Sequence, residues 1–433
     1  MDDELFADVD RQGEAEAAVD GAVRLETANR TQVELTPTDL ETLLAPGHAA
    51  RLVWRFVEGL DLQQFHATIR AREGRAGRPA IDPKILVALW LYATIDGVGS
   101  AREVDRLCYA HDAYRWLRGG VSVNYHTLST FRVAHQAALD DLLTQSITVL
   151  LDKQVVTLNR IAQDGTKIRA SASVRSFKRG ERLRSCRQMA RQQVARTKAE
   201  ADGVAPARRA AAQRRAAAEQ VARVEEALAQ LPEVEATKVR NQSRGAAKVS
   251  TTDPDARVMK LADGGFRPAY NVQFATDVDS HAVVGVAVTN EGADGRQLPP
   301  MLAQVERRTR QWPGALLADG GYVSLEAVTA AAACGTWLYM PVPKGPQALG
   351  AGVSGARDPA VAAWRARMAT PLAPQVYRAR AATAERLNAD VRTHRGLGPL
   401  LVRGLRKVHM VALWVGLAQN VMRAMAIVPH LMT

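Results

Sequence analysis

The stretch AYNVQFATDVDSHAVVGVAVTN, residues 269–290, decides the fold class of this chain. Apolar and polar residues alternate on either side of DVDSH, and this two-residue period predicts two β-strands joined as a hairpin. Downstream, the pattern predicts a helix in RQLPPMLAQVERRTRQ, a strand in GALLADGGYVS, a helix in LEAVTAAAACG, a strand in TWLYMPVPKG and mainly helix after residue 358. A hairpin followed by alternating helices and strands indicates a mixed α/β sheet.

Upstream of the hairpin, RIAQDGTKIRASAS at residues 160–173 contains one more strand candidate, residues 159–168. We place Asp164 at the end of this strand, directly before Gly165. Asp-Gly is a common turn pair, so one interpretation of Asp164 is a turn. The other is a metal-binding carboxylate, because functional groups gather at strand ends in open α/β sheets.

Two further carboxylates could bind metal together with Asp164. Asp319 ends the strand in GALLADGGYVS and is also followed by Gly, and Glu385 lies in the helical YRARAATAERLNADVR. Phosphodiester chemistry uses such sets, since two Mg²⁺ ions about 4 Å apart clamp the attacking and leaving oxygens. Mg²⁺ takes few protein ligands, mostly carboxylates. Because only a folded sheet can bring these positions together, their spacing alone leaves both interpretations open.

The chain before the first strand has the pattern of a helical module. DPKILVALWLYATIDG begins with Asp82 and a proline in the first turn, and SAREVDRLCYAHDAYRWLRGG begins with Ser100 and ends on two glycines; both are typical helix boundaries. We therefore predict an acidic, poorly ordered N-terminus, an all-helical N-terminal domain and an α/β domain, at residues 1–37, 38–150 and 151–433 respectively.

A basic helical insertion interrupts the α/β domain after its first strand, at residues 175–248. It holds 18 Lys and Arg against 8 Asp and Glu, an excess of ten in a chain whose net charge is +12. Its Ala-, Arg- and Glu-rich composition predicts one or two long helices, with a break near DGVAP. Two interpretations stand: a solvated surface hairpin of mixed charge, or a surface that faces DNA.

The bulk composition limits the function classes. A net charge of +12 and a pI near 9.9 favour a polyanionic partner, nucleic acid before membrane. Three widely separated cysteines support neither a disulfide framework nor a zinc ribbon. We expect no signal peptide and no membrane span, hence a cytoplasmic, nucleoid-associated protein. HExxH, GxSxG and GxxxxGK[ST] motifs do not occur, so zinc hydrolysis, a serine triad and ATP use lack support.

Seven blocks of the chain resemble a DDE transposase of bacterial insertion sequences, in the branch whose third acidic residue lies in a Tyr-Arg-Glu-Lys signature. The blocks are GRPAIDPKILVALWLYATIDGVGSAREVDRLC, YHTLSTFR, DGTKIRASAS, STTDPDARVMKLADGGFRPAYNVQFATD, ADGGYVS, the set Tyr377, Arg380 and Glu385, and RGLRKVHMVALWVGLAQNVMR. Together they span most of the chain. The resemblance implies that residues 151–433 form a catalytic domain with a ribonuclease-H-like α/β fold, a mixed sheet with the helical insertion after its first strand. It also implies that the all-helical domain before it, residues 38–150, binds DNA.

The resemblance also implies the site and its partners. Asp164, Asp319 and Glu385 would be the catalytic residues and would bind Mg²⁺, for which Mn²⁺ can substitute. The substrates would be terminal inverted repeats and target DNA, cut and joined through a freed 3′-OH, with a homodimer on paired ends and no membrane partner. The DNA-binding residues would be Lys167, Tyr377, Arg378, Arg380 and Arg392.

Two departures from the signature stand out. Arg392 stands where the signature usually has Lys, seven residues after Glu385. Arginine keeps the positive charge of lysine and can bind a phosphate with two parallel bonds. The spacing from Arg380 to Glu385 is one residue longer than in the simplest form of the signature. Two other functions remain open from the sequence: a catalytically inactive, element-derived DNA-binding protein, and a structure-specific nuclease of the same fold.

Three more aspartates have local interpretations. Asp294 in NEGADGRQL is either a helix N-cap or a partner of the catalytic carboxylates. Asp253 and Asp255 in STTDPDAR are either turn residues close to DNA or competing metal ligands.

Overall fold

The computed structural model describes residues 39–71, 79–199, 207–240, 245–343 and 358–427, together with Thr31 and Gly74. The predicted poorly ordered N-terminus and the predicted break near DGVAP lie outside the described residues, Thr31 apart. The division into domains at residue 150 stays a prediction.

Helices make up the described chain as far as residue 152. Asp82 caps the helix that Pro83 begins, and its carboxylate accepts a hydrogen bond from the Lys84 backbone N–H. Ser100 caps the next helix in the same way, which confirms both predicted helix starts. The helices are α1 Ala49–Glu58, α2 Gln63–His66, α3 Pro83–Ile95, α4 Ala101–Ala110, α5 Asp112–Arg118, α6 Tyr125–Arg132 and α7 Gln136–Asp152.

The strands that follow build one mixed sheet and a small two-stranded ribbon. The sheet contains the predicted hairpin, whose two strands pair antiparallel. Three short strands of two to four residues escaped prediction because so few residues carry no readable period. The strands are β1 Arg160–Arg169, β2 Phe177–Lys178, β3 Val249–Ser250, β4 Arg257–Lys260, β5 Phe266–Asp277, β6 Val283–Thr289, β7 Ala315–Leu317 and β8 Trp337–Tyr339.

The sheet order is β6–β5–β1–β7–β8, with β4 also paired to the first half of β5. β5 runs antiparallel to β1 and β6, whereas β1, β7 and β8 run parallel. This mixed sheet, with helices on it and a helical insertion after β1, has the predicted ribonuclease-H-like architecture. Its helices are α10 Leu298–Thr309, α11 Leu325–Ala333, α12 Pro359–Met368, α13 Ala373–Arg380, α14 Arg386–His394 and α15 Leu405–Ile427.

The insertion forms two long helices, α8 Gly180–Ala199 and α9 Ala207–Arg240, as predicted. Strands β2 and β3 pair antiparallel at its base, so the chain leaves and re-enters the α/β part at one point. The two helices pack together through a small apolar cluster that is separate from the main core. It consists of Leu183, Ala227, Leu231, Ala247 and Val249.

Helix α15 is the central helix of the core. By length and apolar composition it could cross a membrane, but 67% of that apolar window is buried inside the protein. It approaches β6 closely at Gly416, where a Cβ would lie 2.9 Å from a methyl group of Val286. Asn420 then bonds both backbone groups of Val283 and the Ser146 hydroxyl of α7. The helix therefore joins the sheet to the N-terminal helices.

A buried ion pair makes a second connection between these parts. The Arg308 guanidinium of α10 is 1% exposed and bonds the carboxylate of Asp140 on α7 and the Thr144 hydroxyl. Asp140→Ala is expected to destabilise the protein by about 3 kcal/mol, because it leaves a buried charge unpaired. Chemical denaturation measures this loss. Asp141→Ala, on the neighbouring position of α7, is the matched control, and equal losses for both variants would contradict the prediction.

Candidate active site

The register of the sheet brings two of the predicted carboxylates side by side. The parallel pairing of β1 with β7 ends at Ala162 and Leu317. Asp164 and Asp319 each follow two residues later, on neighbouring strands that run in the same direction. Both aspartates therefore come to the same edge of the parallel part of the sheet, where functional groups of α/β proteins collect.

The prediction that Asp164 ends the first strand is wrong, and so is the turn interpretation. Asp164 lies in the middle of β1, paired with Phe274 of β5. β5 is 12 residues long and holds β1 extended as far as Arg169. What ends near Asp164 is the pairing with β7, so one side of β1 becomes open there.

Asp164 lies in a mostly buried environment, with 17% of its side chain exposed. One carboxylate oxygen accepts a bond of 2.9 Å from the Gly165 backbone N–H. The other accepts a bond of 3.1 Å from the Asn388 amide of α14 and lies 3.6 Å from the Arg380 guanidinium. Burial raises the pKa of Asp164 to about 6, Arg380 opposes this rise, and the charge of Asp319 adds to it.

Glu385 reaches Asp164 only through an arginine. The Arg380 guanidinium bonds Glu385 at 2.6 Å and contacts Asp164 with its other terminal nitrogen. Glu385 itself is 55% exposed. One cationic group thus spans the two carboxylates and neutralises part of their charge.

The segment that separates Arg380 from Glu385 is irregular. Residues Ala381–Glu385 form a π-helical turn between α13 and α14. Such a turn accommodates one additional residue without breaking the helix, and it is frequent at functional sites. The turn keeps Arg380 and Glu385, which are five residues apart, within bonding distance.

Asp319 begins the single turn Gly320–Tyr322 directly after β7. Its carboxylate accepts a bond of 2.8 Å from the Gly321 backbone N–H, which fixes the side chain at the strand end. The ring of Tyr322 is buried and its hydroxyl bonds Gln273 of β5. The turn is thereby anchored to the sheet.

Gly165 lies against a polar network on the sheet face opposite to the Asp164 side chain. The Asp294 carboxylate accepts bonds of 2.7 Å from both Asn271 and Gln273 of β5. The N-cap interpretation of Asp294 is wrong, because Gln297 occupies the cap position of α10. The Asp294 charge also contributes to the raised pKa of Asp164.

Gly165 leaves no room for a side chain. A Cβ at this position would lie 2.7 Å from the oxygens of Asn271 and Asp294, and closer still to Gln273. Gly165→Ala is therefore expected to destabilise the protein by about 1–3 kcal/mol through overpacking. Gly320→Ala is the matched control, since nothing lies within 4 Å of its Cβ position. A melting temperature for Gly165→Ala equal to that of the control would show that the network simply moves aside.

Asp253 and Asp255 hold the start of α15 to the sheet. Asp253 is fully buried and accepts bonds from the Tyr270 hydroxyl and the Gly404 backbone N–H. Asp255 accepts bonds from Gln230 of the insertion and the Leu405 backbone N–H. The structure gives both residues structural partners on three elements and does not group them with Asp164.

The predicted DNA-binding residues occupy two places. Tyr377, Arg378 and Arg380 lie on α13, and the Arg380 guanidinium lies over the Tyr377 ring at 5.7 Å from its centroid. Arg392 is exposed on α14 and bonds the Asn388 carbonyl. Lys167 is on β1, where strand alternation directs it to the face opposite Asp164. Their role in binding DNA stays a prediction.

Asn388 escaped the sequence analysis. It is buried, donates to Asp164, and leaves its own amide oxygen without a partner among the described residues. Its position three residues after Glu385 was the available signal, because residues three apart share one face of a helix.

The site has two of the three carboxylates in position to bind a hard divalent cation, and the third is engaged by an arginine. Asp164 and Asp319 offer the carboxylate oxygens that Mg²⁺ prefers, and the pKa of Asp164 is raised by burial first and by the charge of Asp319 in addition. Across the described residues, no three His, Cys, Asp or Glu side chains lie close enough together to hold a metal ion. Glu385 is engaged by Arg380, so its use as a third ligand requires that guanidinium to move.

Comparisons with known proteins identify two family segments. Residues 38–134 match the family described as Transposase domain (DUF772), and residues 234–421 match the family described as Transposase DDE domain. Searches of curated proteins and of solved structures gave no match. The first segment covers α1 to α6, and the second runs from the end of α9 through strands β3 to β8 to α15, so that β1 with Asp164 precedes it. With both domains present in this order on a ribonuclease-H-like fold, the chain belongs to the insertion-sequence DDE transposases.

Proposed function

We propose that the protein catalyses metal-dependent strand cleavage at terminal inverted repeats and transfers the freed 3′-OH into target DNA. The observation that carries the proposal is the placement of Asp164 on β1 and of Asp319 just past the end of β7, at matching register positions beside α14, which begins directly after Glu385. Three regions distant in the sequence meet at one edge of the sheet. The family supports a transposase that uses divalent metal and DNA.

Asp164 and Asp319 would hold Mg²⁺, or Mn²⁺ in its place, with Glu385 joining once Arg380 releases it. When bound, two such metal ions would supply the activation of a water molecule, and then of the 3′-OH, for in-line attack on phosphorus. The chain's own contribution is positioning. Asn388 holds one oxygen of Asp164 and the Gly165 backbone holds the other, so the carboxylate is oriented before substrate arrives.

Released from the carboxylates, Arg380 would contact the scissile phosphate, since a planar guanidinium binds phosphate with two parallel bonds. Tyr377, Arg378 and Arg392 would add contacts to neighbouring phosphates, and Lys167 would bind DNA from the other side of β1. We assign these phosphate contacts to the residues of the Tyr-Arg-Glu-Lys signature, with Arg392 in the place of its lysine. The protein would act as a homodimer on paired ends, in the cytoplasm where the DNA lies.

The test is an assay of cleavage and joining. Purified protein is incubated with duplexes that carry the element's own ends, with a target plasmid and with Mg²⁺ or Mn²⁺. The proposal expects nicking that depends on metal and a product in which the nicked 3′ end is joined to the plasmid. Binding without nicking would instead favour the inactive DNA-binding protein, and nicking without joining would favour the nuclease.

A further inference from the structure

A cleft lies between the N-terminal helices, the insertion and the start of α15, and neither Asp164, Asp319 nor Glu385 lines it. Its volume is about 1000 Å³. α4 and α6 contribute one wall, α9 another, and the segment before α15 a third. Five basic side chains line it, from four different parts of the chain: Arg102, Arg132, Arg223, Arg403 and Lys407.

Arg132 is the unusual member of this set. The residue is only 7% exposed, and within the described part of the chain no carboxylate pairs with it. Its guanidinium lies over the Trp90 ring at 4.6 Å and donates to the Gly99 carbonyl, while its Nε has no partner. Burial alone lowers the pKa of Arg132 to about 10. A buried cation without a counter-ion is costly unless something else supplies the negative charge.

The surroundings of Arg132 suit an anion. Gly99 directly precedes Ser100, the cap of α4, so the guanidinium lies beside a helix N-terminus whose first amides have no acceptor within the helix. Arg102, exposed in the first turn of α4, lies over the Tyr125 ring. Lys407 is exposed at the start of α15. Three cations from three helices thus line the same cleft.

The carboxylates of the cleft are engaged within the protein. Asp253 and Asp255 accept bonds from backbone N–H groups at the start of α15, and Asp253 also accepts a bond from the Tyr270 hydroxyl. Glu219 pairs with Arg223, and Glu226 accepts a bond from Gln230. None of these four carboxylates pairs with Arg132.

We propose that this cleft binds backbone phosphates of DNA, with Arg132 as the buried anchor and with Arg102 and Lys407 as exposed contacts. The inference rests on the proposed function only in taking DNA as the polyanion. A duplex seated here would contact the N-terminal helices, the insertion and α15 at once. The cleft would therefore fix the position of the N-terminal helices relative to the DNA without reading base sequence.

The test uses the full chain, a labelled duplex of arbitrary sequence and no divalent metal. Arg102→Gln/Lys407→Gln is compared with Lys153→Gln/Lys260→Gln, a control that removes two exposed lysines outside the cleft. The cleft variant should bind on the order of tenfold more weakly, and the slope of log affinity against log salt should fall by about two. Affinity and slope equal to those of the control would overturn the proposal.

Two further arms separate the alternatives. Arg132→Met should weaken DNA binding without lowering the melting temperature; a lower melting temperature with unchanged DNA affinity would assign Arg132 to packing. Inorganic phosphate that stabilises the wild type but not the cleft variant, and that leaves bound duplex in place, would show a site for a free anion instead of DNA. Because the assay measures binding and not cleavage, its result is independent of the proposed catalytic function. A protein without cleavage activity can support this proposal, and a protein with cleavage activity can contradict it.

Discussion

Asp319→Asn is expected to abolish DNA cleavage while leaving binding of the element's ends intact. The substitution removes a carboxylate that would hold metal, and it removes no cation that would face phosphate. A lost metal ligand costs several kcal/mol of transition-state stabilisation, which corresponds to a rate at least about 10³-fold lower. Asn can still accept the bond from the Gly321 N–H that fixes the side chain, so the fold should be unaffected.

Asp164→Asn should reproduce this loss, with single-turnover cleavage and anisotropy of labelled ends as the two measurements. Asp279→Asn is the matched control, because Asp279 is a half-exposed carboxylate that pairs with Arg160 away from the site. Near-normal cleavage by either active-site variant would remove that residue from the metal site. A parallel loss of end binding would indicate that the substitution disturbs the fold.

Removal of the insertion is expected to weaken DNA binding at least about tenfold and to flatten its dependence on salt. Residues 179–248 hold 16 Lys and Arg against 8 Asp and Glu, and each phosphate they neutralise contributes about 0.9 to the salt slope. Lys178 pairs with Val249, so these two residues can be joined through Asn-Gly, a two-residue turn that suits antiparallel strands. The affinity is measured across a salt series.

The deletion also removes two sets of contacts within the protein, which the design of the variant takes into account. Val249 loses its apolar neighbours on α8 and α9, so it is changed to Thr, and Gln230 no longer bonds Asp255 and Arg257. A second variant keeps the hairpin and changes Arg182, Arg184 and Arg187 on α8 to Gln. An unchanged salt slope in both variants would show that the insertion faces away from DNA.

Much of the architecture followed from local pattern. The alternation at 269–290 predicts the β5–β6 hairpin, and the capping residues Asp82 and Ser100 predict the starts of α3 and α4. The composition of the insertion predicts one or two long helices, and the structure has two. These features depend on neighbours in sequence, so the sequence contains them in readable form.

The arrangement of the active site did not follow in the same way. The sequence placed Asp164 at a strand end, whereas β5 extends the strand past it. Asp294 looked like a helix cap, but Asn271 and Gln273 engage it from β5. Both errors arise because the partners that decide these positions are more than 20 residues away in sequence, where local pattern carries no information.

The sequence by itself determined the fold class and the basic insertion, and it singled out three carboxylates as candidates, because periodicity, charge and the family blocks are properties of the linear chain. Only the tertiary structure decided which groups share space. It placed Asp164 beside Asp319 through the parallel register, inserted Arg380 between Asp164 and Glu385 through a π-helical turn, and buried Arg132 beside a cleft without a carboxylate partner among the described residues. The physical reason is that strand register and helix packing set through-space distances, which sequence separation does not encode.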